Sequence, residues 1–387
     1  MVRRTLTPEN RAKRGLARVY FYRCGIPFAA VLCALLGACR TTTTPQAHGL
    51  PGVSSSVESD KEIARRFLLA IAAKDAAALG AVLAPDAHLS LVIAGVYSKE
   101  LHAFPHGTQW DRDSTIKMEI NSQKALEGPS SLQILSLVAE GDCVAAEAIE
   151  HGVRAANHRQ YLQHYSYHFK MSRGQIEDIR LYQDTFHHWD VWDNQGPPAQ
   201  PPTYRRAGSV DSTPVEQAPP EQVASLVSAN ASADNVAANK ALVRRFLISV
   251  PSRDPQASLA AWAPDGVWSF AVGGDYSPAL RGFESAPRWK PEQLVNMQLA
   301  VLKGIREPMT LDIYSLIGEG SNVSVEAVGF LVRADGHAYR QHYSIFFKVR
   351  DGKLVEAHEY QDTLHQYDLK LEHSSYAPVT PSSEVNE

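Results

Sequence analysis

The chain contains one stretch of sequence twice, and this repeat limits its possible folds more than any other feature. Residues 161–187 and 339–365 align without a gap at an offset of 178 positions, with 13 of 27 residues identical. Upstream the alignment continues at an offset of 179, so that Trp110 aligns with Trp289. The unit is about 130 residues long, whereas solenoid repeats have roughly 20–50. We predict two copies of one domain, each with its own core.

The composition excludes several classes of function. The chain has 387 residues, of which 44% are hydrophobic, and its formal net charge is −4. A nucleic-acid partner is not expected, because such proteins carry clustered Lys and Arg. The sequence also contains neither a Gly-rich phosphate loop before a helix nor a nucleophile elbow.

The first 39 residues have the pattern of an export signal. Arg and Lys are frequent up to Arg23, and residues 26–38 form an uncharged run of 13 residues. This run is too short for a bilayer, which needs about 20 residues, but it suits a signal peptide. It ends in Leu-Gly-Ala-Cys39, which resembles the lipobox of bacterial lipoproteins. Two alternatives remain open, an ordinary cleaved signal and a buried apolar segment.

The lipoprotein resemblance implies a location. It makes Cys39 the lipidated first residue of the mature protein, anchored in the cell envelope and facing the periplasm. Arg40 follows where the inner-membrane retention signal of that family has Asp, so we expect the outer rather than the inner membrane. Cys143 would then be the remaining thiol. It aligns with Asn322, which argues for a small buried strand residue and against a nucleophile.

Composition shifts divide the chain. Residues 40–57 are rich in Thr, Ser, Pro and Gly, and residues 191–233 contain seven prolines, so both are predicted to be extended segments. The predicted divisions are a signal peptide (1–39), a tether (40–57), domain 1 (58–190), a linker (191–233), domain 2 (234–370) and a disordered tail (371–387).

Within each repeat, hydrophobic periodicity predicts three helices followed by strands. In the first copy, Ile63, Phe67 and Ile71 have helical spacing after a capping-box pattern. Further helices are predicted over 75–83 and 111–126, and strands over 88–93, 132–139, 143–153, 159–171 and 176–185.

The strand sequences resemble a known family. Residues 339–343 (YRQHY), 347–354 (FKVRDGKL) and 358–363 (HEYQDT) are similar to SnoaL-like domains, which have Tyr-x-Asn-x-Tyr, Asp-Gly-Lys-Ile and Glu-Tyr-x-Asp-Thr at these places. These domains belong to the nuclear transport factor 2-like fold, as do ketosteroid isomerases. The resemblance implies an α+β protein with two tandem cone-shaped domains, each with three helices packed on a curved antiparallel sheet around a pocket.

Alternation along the strands gives candidate pocket residues, because residues two apart share a face. An aromatic face with one amide suits a mostly apolar pocket. Two tryptophans before the third helix are predicted as a lid or wall. The predicted ligand-binding residues are Trp110, Tyr161, Gln163, Tyr165, Tyr182, Trp289, Tyr339, Gln341, Tyr343 and Tyr360. The alternative for these tyrosines is an ordinary place in the core.

The resemblance also suggests catalytic residues. Asp184 and Asp362 stand where SnoaL-like cyclases have their general acid/base. Proton abstraction next to a carbonyl needs a carboxylate whose pKa a dry pocket raises, and Tyr hydroxyls to face the enolate. Isomerases need a second acid, and Glu147 and Glu326 match between the copies, although strand phase leaves their side open. The alternative is that the aspartates fix strand ends.

The histidines are assigned to the outer face of the sheet and to no metal. His164 and His168 of the first copy correspond to His342 and Phe346 of the second, and no zinc-binding spacing occurs. Because family members commonly dimerise through this face, we expect the two copies to pack on each other as an internal pseudo-dimer.

Two function classes follow. The first is an envelope protein that binds a small apolar molecule or a protein partner. The second is a cofactor-free SnoaL-like enzyme that moves a proton next to a carbonyl group with Asp184 and Asp362.

Overall fold

The computed structural model describes residues 53–94, 97, 101–128, 130–196, 233–271, 288–306, 308–334, 336 and 338–365. All of these residues belong to one compact unit. The predicted signal peptide with Cys39, most of the tether and of the linker, and the tail lie outside the described residues.

Both repeats follow one order of elements. Repeat 1 contains α1 (Val53–Ala72), α2 (Ala76–Val82), β1 (Leu83–Leu91), β2 (Gln109–Asp111), α3 (Arg112–Lys124), β3 (Ser131–Glu140), β4 (Cys143–Val153), β5 (Gln160–Ser172), β6 (Gln175–Gln183) and α4 (Thr185–Trp192). Repeat 2 contains α5 (Ala233–Ser249), α6 (Pro255–Ala261), β7 (Trp262–Phe270), β8 (Arg288–Trp289), α7 (Pro291–Lys303), β9 (Thr310–Glu319), β10 (Asn322–Val332), β11 (Ala338–Arg350) and β12 (Lys353–Gln361).

The fold is mixed α+β, with one open six-stranded sheet in each repeat. The strand orders are β2-β1-β6-β5-β4-β3 and β8-β7-β12-β11-β10-β9. Most neighbours are antiparallel, but β1 is parallel to β6 and β7 is parallel to β12, whereas the sequence predicted purely antiparallel sheets. The antiparallel ladders of β3, β4, β5 and β6 are continuous apart from bulges, which bend the strands.

Several described boundaries differ from the predicted ones, and β1 begins at Leu83 rather than at residue 88. Helix α1 begins at Val53, inside the predicted tether, and this start was not predicted because its Ser-rich sequence has low intrinsic helix propensity. Helix α4 spans Thr185–Trp192 and crosses the predicted domain end at residue 190. Its aromatic and β-branched residues favour strands, so its pattern resembles an extension of β6.

The inner face of each sheet packs against the helices. In repeat 1, Phe67 of α1 meets the rings of Tyr167 and Phe169 edge-on, at centroid distances of 6.2 and 5.6 Å. In repeat 2, Phe246 and Phe347 meet in the same way at 6.0 Å. This confirms the predicted inward face of β5 and β11.

The outer faces of the two sheets contact each other. Ser166 and Ser344, which are equivalent residues, lie 2.7 Å apart through their hydroxyls. At the edge of this contact the Lys61 ammonium pairs with Glu319 at 2.7 Å, and its equivalent Lys240 pairs with Glu140 at 2.6 Å. The reciprocal pairs give the contact approximate twofold symmetry.

None of the helices in the described part of the chain combines the length and apolar character needed to cross a bilayer.

Candidate functional site

The two predicted catalytic aspartates lie in the contact between the repeats. Asp184 is the N-cap of α4 and accepts hydrogen bonds from the backbone N–H of His187 at 3.1 Å and from the Thr363 hydroxyl at 2.5 Å. Asp362 accepts from the backbone N–H of His365 at 3.1 Å and from the Thr185 hydroxyl at 2.6 Å. Each aspartate therefore caps the helical turn that follows it in its own repeat and accepts a hydrogen bond from a threonine of the other repeat.

The same two threonines also accept hydrogen bonds from the backbone of the opposite repeat. The Thr363 hydroxyl accepts from the backbone N–H of Phe186 at 2.9 Å, and the Thr185 hydroxyl accepts from Leu364 at 3.0 Å. The second oxygen of Asp362 also accepts from Tyr97 at 2.6 Å. The aspartates thus have defined structural roles, and their acid–base role stays a prediction.

The pocket position predicted for Tyr182 and Tyr360 is wrong. Both belong to the buried cluster between the sheets. The extra residue Glu177 forms a bulge in β6 opposite Lys170 and Met171 of β5, and it shifts the pairing so that Tyr182 lies opposite Ser166 of the outer face. The equivalent extra residue Val355 in β12 sets Tyr360 opposite Ser344. One extra residue reverses the face on which every later side chain lies.

The same contact contains the two glutamates whose side was left open. Glu326 is fully buried and accepts from Tyr182 at 2.8 Å and from the Arg180 Nε at 2.7 Å. Glu147 accepts from Tyr360 at 2.9 Å and contacts Nδ1 of His358 at 2.8 Å. Neither glutamate therefore provides a second acid inside a cone.

Charge pairing determines the protonation of these interface groups. Burial lowers the pKa of His358, but the Glu147 and Glu356 carboxylates outweigh it and raise that pKa to about 10. Burial raises the pKa of Glu326, whereas His168 and Arg180 lower it, and the net shift is downward. At neutral pH both glutamates thus face cations.

The two predicted glutamines bind the backbone of the same aspartates from the inner face of each sheet. Gln163 Nε2 donates to the backbone carbonyl of Asp184 at 3.0 Å, and Gln341 Nε2 donates to that of Asp362 at 3.0 Å. Both glutamines are fully buried. An amide is needed at these two positions for a structural reason, because its N–H group holds the backbone of the aspartate that caps the following turn.

The remaining predicted residues lie around the inner faces. The rings of Tyr161 and His187 stack at 5.4 Å, and those of Tyr339 and His365 stack at 5.3 Å. Trp110, Trp289 and Tyr343 are partly buried against the two cores.

Repeat 1 also contains a polar stripe that the sequence analysis missed. Thr115, Glu119 and Gln123 of α3 are four residues apart, so they share one helix face, and all three are buried. The helix begins at an Asp111 cap, whose carboxylate accepts from the backbone N–H of Ser114 at 2.8 Å. The polar stripe therefore points to the protein interior and not to solvent.

The stripe connects to the sheet through a hydrogen-bond network. Gln123 Nε2 donates to one oxygen of Glu150 on β4, and the Tyr165 hydroxyl donates to the other oxygen at 3.0 Å. Ser130 donates to the Gln123 carbonyl oxygen at 2.5 Å, and the Tyr161 and Tyr165 hydroxyls are 2.8 Å apart. This network brings the predicted residues Tyr161 and Tyr165 together with three residues that were not predicted, Gln123, Ser130 and Glu150.

Glu119 is a further buried carboxyl in this interior. Burial and the nearby Glu150 carboxyl raise its pKa to about 8. Burial also raises the pKa of Glu150, although Gln123 and Tyr165 partly oppose this shift. The Thr115 hydroxyl is buried and has no hydrogen-bond partner within the described ranges. Buried groups of this kind are exceptional in folded proteins.

Repeat 2 lacks this network. The α7 residues equivalent to the stripe are Leu294, Gln298 and Leu302, and Gly329 replaces Glu150. A Cβ at Gly329 would lie 3.0 Å from the ring of Tyr343, the equivalent of Tyr165. The tyrosine ring thus approaches the backbone where repeat 1 has a carboxyl.

Repeat 2 has a different buried carboxyl, Glu359 on β12, where repeat 1 has Leu181. Burial raises the pKa of Glu359 to about 8, with Trp268 opposing the shift. The two interiors therefore differ in the number of polar groups and in the strand that carries them.

A groove on the surface of repeat 1 has a volume of about 470 Å³. It is formed by the loop before β2 and by the end of α4, and none of the predicted site residues lines it. Its lining comprises Leu101, His102, Pro105, His106, Trp189, Trp192, Asp193, Asn194, Gln195 and Gly196.

The missed stripe has a signal in the sequence. Aligning α3 with α7 shows Thr, Glu and Gln where the second copy has Leu, Gln and Leu. A helix face that is apolar in one copy is expected to face the core in both, so polar residues on it indicate a buried polar site.

The chain is similar in structure to several solved proteins. A nuclear transport factor 2-like protein of unknown function from Burkholderia pseudomallei is 20% identical, with 34% of this chain and 96% of that one covered and a TM-score of 0.30. A putative polyketide cyclase from Streptomyces antibioticus is 17% identical, with 34% and 98% covered and a TM-score of 0.28. An epoxide hydrolase from M. tuberculosis is 15% identical, with 34% and 88% covered and a TM-score of 0.28.

Neither a protein-family model nor a curated protein sequence matches the chain. The fold is mixed α+β with one open six-stranded sheet in each repeat, and its assignment to the nuclear transport factor 2-like fold stays a prediction from the strand sequences.

Proposed function

We propose that the chain is an exported, lipid-anchored protein that binds a small, mostly apolar molecule inside repeat 1. One observation carries the proposal: the buried network of Gln123, Glu150 and Tyr165, with Glu119 beside it, in an interior otherwise lined by apolar and aromatic side chains. Small-molecule sites are mostly apolar with a few polar groups that fix the ligand's orientation.

The polar groups are unfavourable for stability alone, which supports a functional reason for them. A buried polar group without a partner costs about 1–3 kcal/mol. Repeat 2 keeps the same helix and strands with leucine at the positions of Thr115 and Gln123. The fold therefore does not require the stripe, and ligand recognition gives it a purpose.

The test exchanges the stripe between the repeats. Full-length protein is purified without denaturation, and bound small molecules are extracted and identified by mass spectrometry. We expect Thr115→Leu/Gln123→Leu, which installs the residues of repeat 2, to abolish recovery of the ligand. Leu294→Met/Leu302→Met is the matched control at the equivalent positions, and it should retain the ligand. Identical extracts from both variants, or no ligand in the wild-type protein, would refute the proposal.

The export part of the proposal depends on Cys39. Its support is the basic stretch, the uncharged run and the Leu-Gly-Ala-Cys39 sequence. Wild-type protein should incorporate a radioactive fatty acid and sediment with outer membranes, whereas Cys39→Ser should do neither. Equal labelling of the two proteins would contradict lipidation at this residue.

The enzymatic alternative is better supported at Glu119 than at the aspartates. A buried carboxyl with a pKa of about 8 is suited to exchange a proton near neutral pH. If the extracted ligand contains a carbonyl group, the wild-type protein should exchange its α-hydrogen for deuterium, as followed by NMR. Glu119→Gln should stop this exchange, and persistence of the exchange would exclude Glu119 as the base.

A further inference from the structure

We propose that the ligand of repeat 1 carries a positive charge and is an organic ammonium ion with apolar substituents, held by Thr115 and Glu119 of α3 beside the tyrosines of β5. This inference rests on the proposed function and adds the chemical class of the ligand. It follows from the charges and side chains inside repeat 1.

The first argument is a missing counter-ion. Two buried carboxyls, Glu119 and Glu150, influence each other, and among the described residues no Lys, Arg or His contributes to the pKa of either. The buried carboxyls between the repeats differ from these two because each has a cationic partner: Glu326 pairs with Arg180, and Glu147 pairs with His358. A buried carboxyl is either paired with a cation or kept neutral by a proton, and a cationic ligand would let Glu119 give up its proton and form the pair that the described residues do not supply.

The second argument comes from the groups without partners. The Thr115 hydroxyl is buried without a hydrogen-bond partner in the described part of the chain, one turn before Glu119 on the same face of α3. Both oxygens of Glu150 already accept hydrogen bonds, from Gln123 and Tyr165. Thr115 and Glu119 are therefore the groups left to contact a ligand, and both offer oxygen atoms to a cation.

The third argument concerns the kind of cation. Most inward residues of β5 are aromatic: the rings of Tyr165 and Tyr167 are tilted by 42° with centroids 5.6 Å apart, and those of Tyr167 and Phe169 stack at 5.7 Å. Aromatic faces attract organic cations by about 0.5–2 kcal/mol. A calcium ion would instead need six to eight oxygen ligands, which two carboxyls and one hydroxyl do not provide. The surroundings thus favour an ammonium group with carbon substituents.

The charge state gives the binding a distinctive pH dependence. The titratable groups around Glu119 are Glu150 on β4 and the tyrosines 161, 165 and 167 on β5, whose pKa values burial raises well above 10. Only the carboxyls therefore change charge near neutral pH. A bound cation favours the ionised form of Glu119, so affinity should increase with pH up to about 8 and then level off.

The test compares isosteric probes of different charge. Choline and tetraethylammonium are titrated into full-length protein by calorimetry between pH 6 and 9, each against its neutral carbon isostere (3,3-dimethyl-1-butanol and 3,3-diethylpentane). We expect at least one cation to bind roughly tenfold more tightly than its isostere, with affinity increasing up to tenfold per pH unit below pH 8. Glu119→Gln should remove this preference and the pH slope, and Gln298→Asn, at the equivalent position of repeat 2, should retain both.

The outcomes separate this inference from the proposed function. Equal or weaker binding of every cation relative to its isostere would overturn it, as would a pH-independent preference for the cation. A neutral or anionic ligand recovered from repeat 1 by mass spectrometry would also overturn it, while leaving the proposed binding function intact. Loss of the charge preference in Gln298→Asn but not in Glu119→Gln would move the cation site to repeat 2 and refute the inference as stated.

Discussion

The two repeats have the same backbone fold and contribute equivalent residues to the contact between them, which we call the joint, but their interiors differ. Where they touch, equivalent residues make equivalent bonds: Asp184 with Thr363, and Asp362 with Thr185. Inside, Glu119 of repeat 1 corresponds to Gln298. The residues that resemble a catalytic motif thus maintain the joint, and the residues that distinguish the copies lie in the interior. Comparing copies within one chain separates structural demands from functional ones.

The largest expected effect comes from removing one partner of a buried charge pair in the joint. Glu326→Ala leaves Arg180 and His168 without their carboxylate and should lower the free energy of unfolding by about 3–5 kcal/mol. Urea denaturation at pH 7 measures the loss. The matched variant Glu147→Ala should cost a similar amount, because His358 is charged at that pH. A negligible cost at both positions would contradict the paired description of the joint.

The stability contributed by the two equivalent charge pairs, Glu326 with Arg180 and Glu147 with His358, should change differently as the pH is raised above 7. A raised pKa means that His358 stabilises the folded state fully below its ordinary pKa of 6.5, and that this contribution is lost as the pH rises towards about 10. Arg180 stays charged over this range. The cost of Glu147→Ala should therefore shrink from pH 7 to pH 10, on the order of a few kcal/mol, whereas the cost of Glu326→Ala should change much less. Parallel pH profiles of the two variants would argue against this asymmetry.

The buried interior carboxyls should change stability with pH in the direction opposite to Glu326, whose pKa is lowered. Burial raises the pKa of Glu119 and of Glu359 from 4.5 to about 8, so the folded state holds a proton that the unfolded state releases. The free energy of unfolding should fall as the pH rises from about 4.5 to 8, by on the order of a few kcal/mol for each group. Thermal denaturation at several pH values should show a flatter profile for Glu119→Gln and for Glu359→Gln than for the wild-type protein.

The crossed threonines should give a smaller and symmetric effect. Thr185→Val and Thr363→Val each remove a hydroxyl that donates to an aspartate and accepts from a backbone N–H, and each should cost about 1–3 kcal/mol. Urea denaturation of both variants tests the symmetry. Costs differing by more than about 1 kcal/mol would show that the two halves of the joint are not equivalent.

The smallest effect is expected at Gly329. An added methyl group meets the ring of Tyr343 at 3.0 Å and Met309 at 3.2 Å, so Gly329→Ala should destabilise the protein by about 1 kcal/mol. Gly174→Ala is a control of the opposite kind, because it has open space but a φ of +74°. An unchanged melting temperature for Gly329→Ala would mean that Tyr343 moves freely.

The sequence predicted the repeat, the order of most elements and the inward face of β5, because long periodic segments carry strong signals. It did not predict that Tyr182 faces outward. The cause is the bulge at Glu177 of β6, which the hydrophobic pattern does not reveal, because residues 181–183 after it are buried on both faces of the strand. Helix α4 was missed because its aromatic residues continue the pattern of the strand before it.

The candidate site was only partly predictable. Tyr161 and Tyr165 were identified from alternation, but Glu119 and Glu150 were not, since the family motifs on the strands directed attention away from α3. Their proximity depends on the tertiary packing that brings Glu119 and Gln123 of α3 close to Glu150 of β4. A residue-by-residue comparison of the two copies was the available route to them.

The meeting of Ser166 with Ser344 has an evolutionary consequence. Two separate, identical subunits joined through this surface would carry every substitution on both sides at once, so a change harmful in one partner could not be confined to the other. Covalent fusion breaks that rule. It permits repeat 1 to have Arg180 where repeat 2 has His358. One repeat can therefore acquire a specialised interior while the other keeps the residues that maintain the fold.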